Sequence, residues 1–324
     1  MAINRRDFLK AAGGGALLAV SGGAAARPNK EPLPNAVGML YDATLCIGCK
    51  ACVDACKEAN NLPPEFSGDN DIWDAATDLS PKTFNVIKAY TNGTAQQKDR
   101  EIDGYSFVKR HCMHCVDPGC VSVCPVQAMQ KDPVTGIVTY NPSACIGCRY
   151  CMVGCPYNIP KYEFDNPLGQ IRKCELCNER LAQGKLPACV EVCPTGASLF
   201  GTRVEMLAEA KRRVSLKPGE MYNYPRLTLQ APYRHEKPAP QYLQHVFGEK
   251  EAGGTQVMMV AAVPFDKLGL PQLPERSAAS ISETIQHTVY KGMIGPGLLL
   301  AGLLYVAHRN AKHEDDEDKG GGHE

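Results

Sequence analysis

Cys145-Ile146-Gly147-Cys148-Arg149-Tyr150-Cys151-Met152-Val153-Gly154-Cys155-Pro156 sets four thiols at spacers of two, two and three residues, closed by a proline. This is the ligand spacing of a 4Fe-4S cluster. The same spacing stands at Cys46, Cys49, Cys52 and Cys56. Two further groups, Cys112-Cys115-Cys120-Cys124 and Cys174-Cys177-Cys189-Cys193, each lengthen one internal spacer and keep the rest, so that all 16 cysteines are used. Three closely spaced cysteines can wrap a loop around three corners of a cubane. The fourth is expected to start a helix, point away and serve the other cluster of its pair. The proline is expected where the chain turns into that helix, a position that needs no amide donor.

Other chemistries fit less well. Zinc sites from paired C-x-x-C leave the third and fourth cysteine of each run unexplained. Disulfides suit an exported chain, but cysteines two residues apart bridge poorly. Covalent haem needs C-x-x-C-H, and no such pair is followed by histidine. His111 and His114 flank the second group. With a thiolate for every cluster position, hydrogen bonding around the site or simple packing is the role expected of them. Lys109, Arg110, Arg149, Arg172 and Lys173 also lie close to cysteines, where a cation raises the potential of an anionic cluster. They read equally well as solvated surface charges, and no site is assigned to them.

Around the cysteines, 324 residues with 44% hydrophobic content are enough for a real core. The formal charge is zero, and subtracting the surplus of Arg5, Arg6 and Lys10 over Asp7 leaves the remainder at about −2, which speaks against a nucleic-acid binder. Asn4-Arg5-Arg6-Asp7-Phe8-Leu9-Lys10 is a twin-arginine export signature, with cleavage expected after Ala26. That route carries folded proteins, so clusters can be built before export. Residues 57–104 form a polar insertion with Asn-Gly and Pro-Pro turn signals and read as surface elaboration. Residues 204–214 place Met206, Leu207, Ala210 and Val214 on one helical face, and Gln256 to Val260 read as a short buried strand. Gly292 to Ala307 are 16 uncharged, mostly apolar residues. At helical rise they span about 24 Å, which Lys291 and Arg309 can extend by snorkelling. A single transmembrane anchor over residues 286–308 is expected, with the charged tail 309–324 on the cytoplasmic side.

The four motifs resemble the ferredoxin-type subunits, with four clusters, of membrane-bound formate dehydrogenase, dimethyl sulfoxide reductase, nitrite reductase and hydrogenase complexes. Within that family the leader, Cys112-Met113-His114-Cys115-Val116-Asp117-Pro118, Gly254-Thr255-Gln256-Val257 and Gln286-His287-Thr288-Val289-Tyr290-Lys291-Gly292-Met293 resemble the iron-sulfur subunit of the hydrogenase-2 type of nickel-iron hydrogenase. The resemblance implies an α+β fold of two ferredoxin-like modules, each holding two 4Fe-4S clusters, loop-rich, within residues 27–203, with a C-terminal extension over 204–285 and the single transmembrane helix. It implies that ligation crosses between motifs. Cys46, Cys49, Cys52 and Cys193 would hold one cluster, and Cys174, Cys177, Cys189 and Cys56 its neighbour. Cys112, Cys115, Cys120 and Cys155 would hold another, and Cys145, Cys148, Cys151 and Cys124 the last. The departure is Lys57, where the other groups carry proline. By the same resemblance the chain has no catalytic site of its own. It would take electrons from a hydrogenase small and large subunit dimer on the periplasmic side of the cytoplasmic membrane and pass them to an integral-membrane quinone-reducing subunit. No nucleotide loop or nucleophile constellation appears, and Asp117-Pro118-Gly119-Cys120 matches a nickel-binding signature only superficially.

Overall fold

A computed structural model of the chain describes residues 26–65 and 78–320, with side chains up to residue 308. The twin-arginine leader, part of the insertion and the last four residues of the tail lie outside the described residues. The chain divides into a large unit, Pro28–Ala279, and a smaller one made of Ser280–Glu324 with residues up to Arg27. The large unit begins with β1 (Val37–Asp42), α1 (Ala51–Ala59), β2 (Val86–Thr91), β3 (Gln97–Lys98) and β4 (Gly104–Arg110). Short elements follow: α2 (Gly119–Ser122), β5 (Met129–Lys131), β6 (Val138–Tyr140), α3 (Tyr150–Val153), β7 (Lys161–Tyr162), β8 (Ile171–Arg172), α4 (Asn178–Ala182) and α5 (Ala188–Glu191). The last part holds β9 (Ser198–Thr202), α6 (Arg203–Val214), β10 (Met221–Pro225), β11 (Arg234–Pro238) and β12 (Val257–Val260). This mixed helix and strand content is the α+β class expected.

β1 is the centre of the main sheet. It pairs in parallel with β12 (Met39 opposite Val257) and antiparallel with β9 (Leu40 opposite Leu199). Because side chains alternate along a strand, the sheet serves two layers at once. Leu40, Leu199, Met258 and Val260 pack against Met206 and Ala210 of α6. Met39, Tyr41, Val257 and Met259 join Val53, Leu176 and Val190 on the side that carries the cysteines. Burying each such side chain contributes about 1.5–3 kcal/mol, so this sheet ties the cysteine region to the C-terminal region. α6 starts on a capping box: Glu205 N donates to Thr202 Oγ1 at 3.2 Å and Thr202 N donates to Glu205 Oε2 at 2.9 Å.

Two expectations need correction. In the second, third and fourth cysteine groups the helix lies before the fourth cysteine, in the first group it runs through it, and the proline opens none of them. Where proline follows, at Pro125, Pro156 and Pro194, the helix has already stopped at Ser122, Val153 and Glu191. Proline disfavours helical backbone at the residue before it. Where Lys57 follows Cys56 instead, α1 runs on to Ala59, and Lys57 Nζ donates to the carbonyls of Pro63 (2.9 Å) and Lys82 (2.6 Å). The insertion, for its part, is more than surface. Its β2 pairs with β4 (Ile87 opposite Lys109), and Val86 and Ile87 enter the core.

At the C-terminal end of β1, Asp42, Glu209 and Arg213 are buried together. Arg213 Nη1 meets Asp42 Oδ2 and Nε meets Glu209 Oε1, both at 2.9 Å, and the guanidinium lies 5.1 Å from the Tyr224 ring centre. Tyr242 OH donates to Asp42 Oδ2 at 2.7 Å. Burial opposes the Arg213 charge, but the two carboxylates more than reverse it and hold its pKa above the usual range.

The helix α7 (Ala278–Gly320) is 43 residues long, with Pro296 inside it, and between Ala278 and His308 an 18-residue window reaches a mean hydropathy of 1.4. It begins eight residues before the expected span of 286–308. Leu298 (70% exposed) and Leu304 (63%) lie on its surface, so by length and composition the helix can cross a membrane.

The buried ion network yields a prediction. Arg213→Met leaves two buried carboxylates without a cation and should cost about 3–5 kcal/mol in denaturant unfolding of the detergent-solubilised chain. Lys250→Met breaks the exposed Lys250–Glu275 pair (3.1 Å) and should cost less than about 1 kcal/mol. Equal costs would contradict this reading of the network.

Candidate metal centres

Each of the four C-x-x-C loops turns at its third residue through left-handed backbone: Gly48 (φ 72°), His114 (φ 46°), Gly147 (φ 71°) and Leu176 (φ 52°). The turn folds the loop back over its first cysteine. Gly48 N, Gly147 N and Leu176 N then point at Cys46 Sγ (3.5 Å), Cys145 Sγ (3.4 Å) and Cys174 Sγ (3.4 Å). His114 and Leu176 take up this backbone without glycine's freedom, a strain of about 1–3 kcal/mol each that the surrounding structure must hold in place. At Gly48 a Cβ would come within 2.5 Å of the Phe107 ring, so glycine is required there on both counts.

The structure brings the cysteines together in sets that cross the sequence groups. Cys46, Cys49, Cys52 and Cys193 ring one cavity, walled by Tyr41 and Ile87. Cys56, Cys174, Cys177 and Cys189 ring a second, walled by Met39, Asn85 and His111. Cys112, Cys115, Cys120 and Cys155 lie within electrostatic reach of one another, as does Cys151 of Cys124, Cys145 and Cys148. Each set is also within electrostatic reach of the next. Cys52 is within reach of Cys189, Cys174 of Cys112, and Cys120 of Cys151. The second cysteines of the first and third groups, Cys49 and Cys148, are the exposed ones and belong to the first and last sets of that series.

Burial makes several of these thiols poor acids. It pushes Cys52 and Cys56 up to about 12, and Cys151 and Cys155 up to about 11, with the neighbouring cysteines adding to the effect. Several thiolates this close need a positively charged metal core among them. Backbone amides are already aimed at the sulfurs: Ala128 N and Met129 N at Cys124 Sγ (3.2 and 3.4 Å), and Ile159 N at Cys155 Sγ (3.5 Å). Such donors favour the ionised form. His111 lines the second cavity, and its buried Nε2 meets no partner among the described residues. This donor chemistry fits iron-sulfur clusters.

The two histidines are fully buried, and burial lowers both, His111 to about 3. His114 Nδ1 accepts from Val138 N at 3.0 Å, so the neutral ring carries its proton on Nε2, which faces Cys174 Sγ at 4.0 Å. His114 therefore stands between the second and third sets. Of the flanking cations that the sequence left open, Lys109 and Lys173 are buried. Arg149 instead stacks over Tyr162 and Phe164 at 5.5 and 5.6 Å. Lys131, which sequence reasoning did not single out, donates to Cys115 O (2.9 Å), Gly136 O (2.7 Å) and Gln256 Oε1 (2.9 Å), and burial lowers it to about 8.

Residues 38–125 and 104–203 each match a 4Fe-4S dicluster domain. The chain therefore binds four 4Fe-4S clusters. It is 52% identical over 329 residues to the hydrogenase-2 operon protein HybA of Escherichia coli O157:H7, covering 99% of this chain and 100% of that one. The nitrate-inducible formate dehydrogenase iron-sulfur subunit of Escherichia coli K12 is 34% identical over 290 residues, covering 87% and 89%. The formate dehydrogenase-O iron-sulfur subunit of the same strain is 34% identical over 272 residues, covering 83% and 80%. The similarity to HybA covers essentially the whole chain, all four cysteine groups included, and the chain belongs to the family of four-cluster iron-sulfur electron-transfer subunits that includes HybA.

Proposed function

We propose that the chain relays electrons from a nickel-iron hydrogenase dimer to an integral-membrane quinone-reducing subunit. One observation carries the relay: four sets of cysteines, each within electrostatic reach of the next, with an exposed cysteine in the first set and another in the last. The ligands are Cys46, Cys49, Cys52 and Cys193 for the first cluster, and Cys56, Cys174, Cys177 and Cys189 for the second. Cys112, Cys115, Cys120 and Cys155 hold the third, and Cys124, Cys145, Cys148 and Cys151 the fourth. When bound, the clusters supply one-electron chemistry. The protein's own residues hold them in sequence, exclude water through Met39, Tyr41, Val53 and Leu176, and direct amides at the sulfurs. Ile47 (55% exposed) beside Cys49, and Ile146 (65%) and Tyr150 (60%) beside Cys148, give each end an apolar rim for a partner.

The place where the chain leaves the large unit supports a direction for this relay. Ala278 lies against Gly119 of α2, beside Gly154, among the second and third cysteine groups. The end at Cys148 therefore hands electrons to the membrane subunit, and the end at Cys49 receives them. Full-length similarity to HybA favours hydrogenase as the source, on the periplasmic side of the membrane, with twin-arginine export and α7 as the anchor. The similarity to formate dehydrogenase subunits supports a second reading, the same relay in another oxidoreductase complex.

Two measurements test this reading. Cys56→Ser should alter the EPR signal of the cluster shared with Cys174, Cys177 and Cys189, although Cys56 is encoded in the first group. A change confined to the cluster of Cys46, Cys49 and Cys52 would reverse the pairing. Cells lacking the chain should keep hydrogen-driven dye reduction in solubilised extracts, because small acceptors reach the hydrogenase dimer directly, and lose hydrogen-driven quinone reduction. Undiminished quinone reduction, or loss of a different respiratory activity alone, would overturn the assignment.

A further inference from the structure

Lys109 is the last residue but one of β4, opposite Ile87, and has no exposed surface. Its Nζ donates to Ser198 Oγ at 3.4 Å, and Ser198 borders the cavity of Cys46, Cys49, Cys52 and Cys193. The thiols within electrostatic reach of the ammonium belong to two sets: Cys189 to the second, Cys52 and Cys193 to the first. No carboxylate forms an ion pair with it among the described residues. Other buried or half-buried lysines near cysteines are held differently. Lys131 spreads its charge over two backbone carbonyls and an amide, and Lys173 donates to the carbonyls of Val138 and Cys174. In the folded protein the counter-charge of Lys109 is therefore the thiolate sulfur of two neighbouring metal centres.

We propose that Lys109 is a fixed cation shared by the first and second clusters, and that its charge raises the reduction potentials of these two together. The inference rests on the ligand sets proposed above. A cluster held by four thiolates is an anion and gains a further negative charge on reduction, so a cation beside it favours the reduced form. Lys109 sits where Cys52 meets Cys189, so one side chain acts on both centres and leaves the third and fourth untouched. Its effect is to hold two successive carriers close in potential at the receiving end of the relay.

The test is an EPR-monitored redox titration of the full chain in detergent, with iron content measured alongside, for wild type, Lys109→Met and Lys109→Arg. Wild type should show four one-electron centres; fewer would refute the ligand sets rather than Lys109. In Lys109→Met two of the four potentials should fall, each by at least tenfold in the reduction equilibrium, about 59 mV for one electron. The other two should hold, and Lys109→Arg should keep all four near wild type. If Lys109→Met loses two clusters while Lys109→Arg keeps four, the charge is needed to hold the anionic pair, and the proposal stands. Four unchanged potentials, a common shift in all four, or the same loss in both variants would overturn it.

Discussion

Sixteen cysteine sulfurs, most of them drawn out of water, need positive charge beside them, and the rest of the structure follows from that need. The sets that form close long loops: position 46 meets 193, 56 meets 174, 112 meets 155 and 124 meets 145. Helices of four or five residues and strands of two or three could not hold such loops by themselves. Metal ligation supplies what those elements lack, which makes cluster insertion part of folding.

The second support is the sheet of β12, β1 and β9. Its two faces serve different cores, one apolar against α6 and one toward the cysteines. β1 runs straight into the first cysteine loop, and Asp42 at its end is held by Arg213, Thr44 and Tyr242. The buried ion network thus fixes the entry to the first metal site from outside that site. Lys109, Lys131 and Lys173 bring positive charge in from the other strands, so the protein answers the negative sulfurs with cations as well as with amides.

The cysteine spacing made the four-group pattern legible because three ligands in one loop are a local matter, readable within a few residues of Cys145. The left-handed turns were half legible. Gly48 and Gly147 mark two of them, whereas His114 and Leu176 adopt the same backbone without a sequence signal, held there by packing. The role of proline was misread because a Cys-Pro pair can border a helix on either side, and only Lys57, where α1 continues past Cys56, shows which side it ends. The place of residues 57–104 was hidden for another reason: Val86 and Ile87 are a short apolar run in a polar stretch, and their burial depends on pairing with β4. Lys109 was invisible as a buried cation, since a lysine three residues from a cysteine normally lies in water and only the tertiary fold closes around it.

The most direct test of this account is the metal content of the intact chain. Protein prepared without oxygen should contain about sixteen iron atoms and as much acid-labile sulfide, four of each per cluster. It should also lose its folded core when the iron is removed by chelation. A colourless protein loaded with zinc, or a chain that keeps its cooperative unfolding transition after the iron is gone, would contradict it.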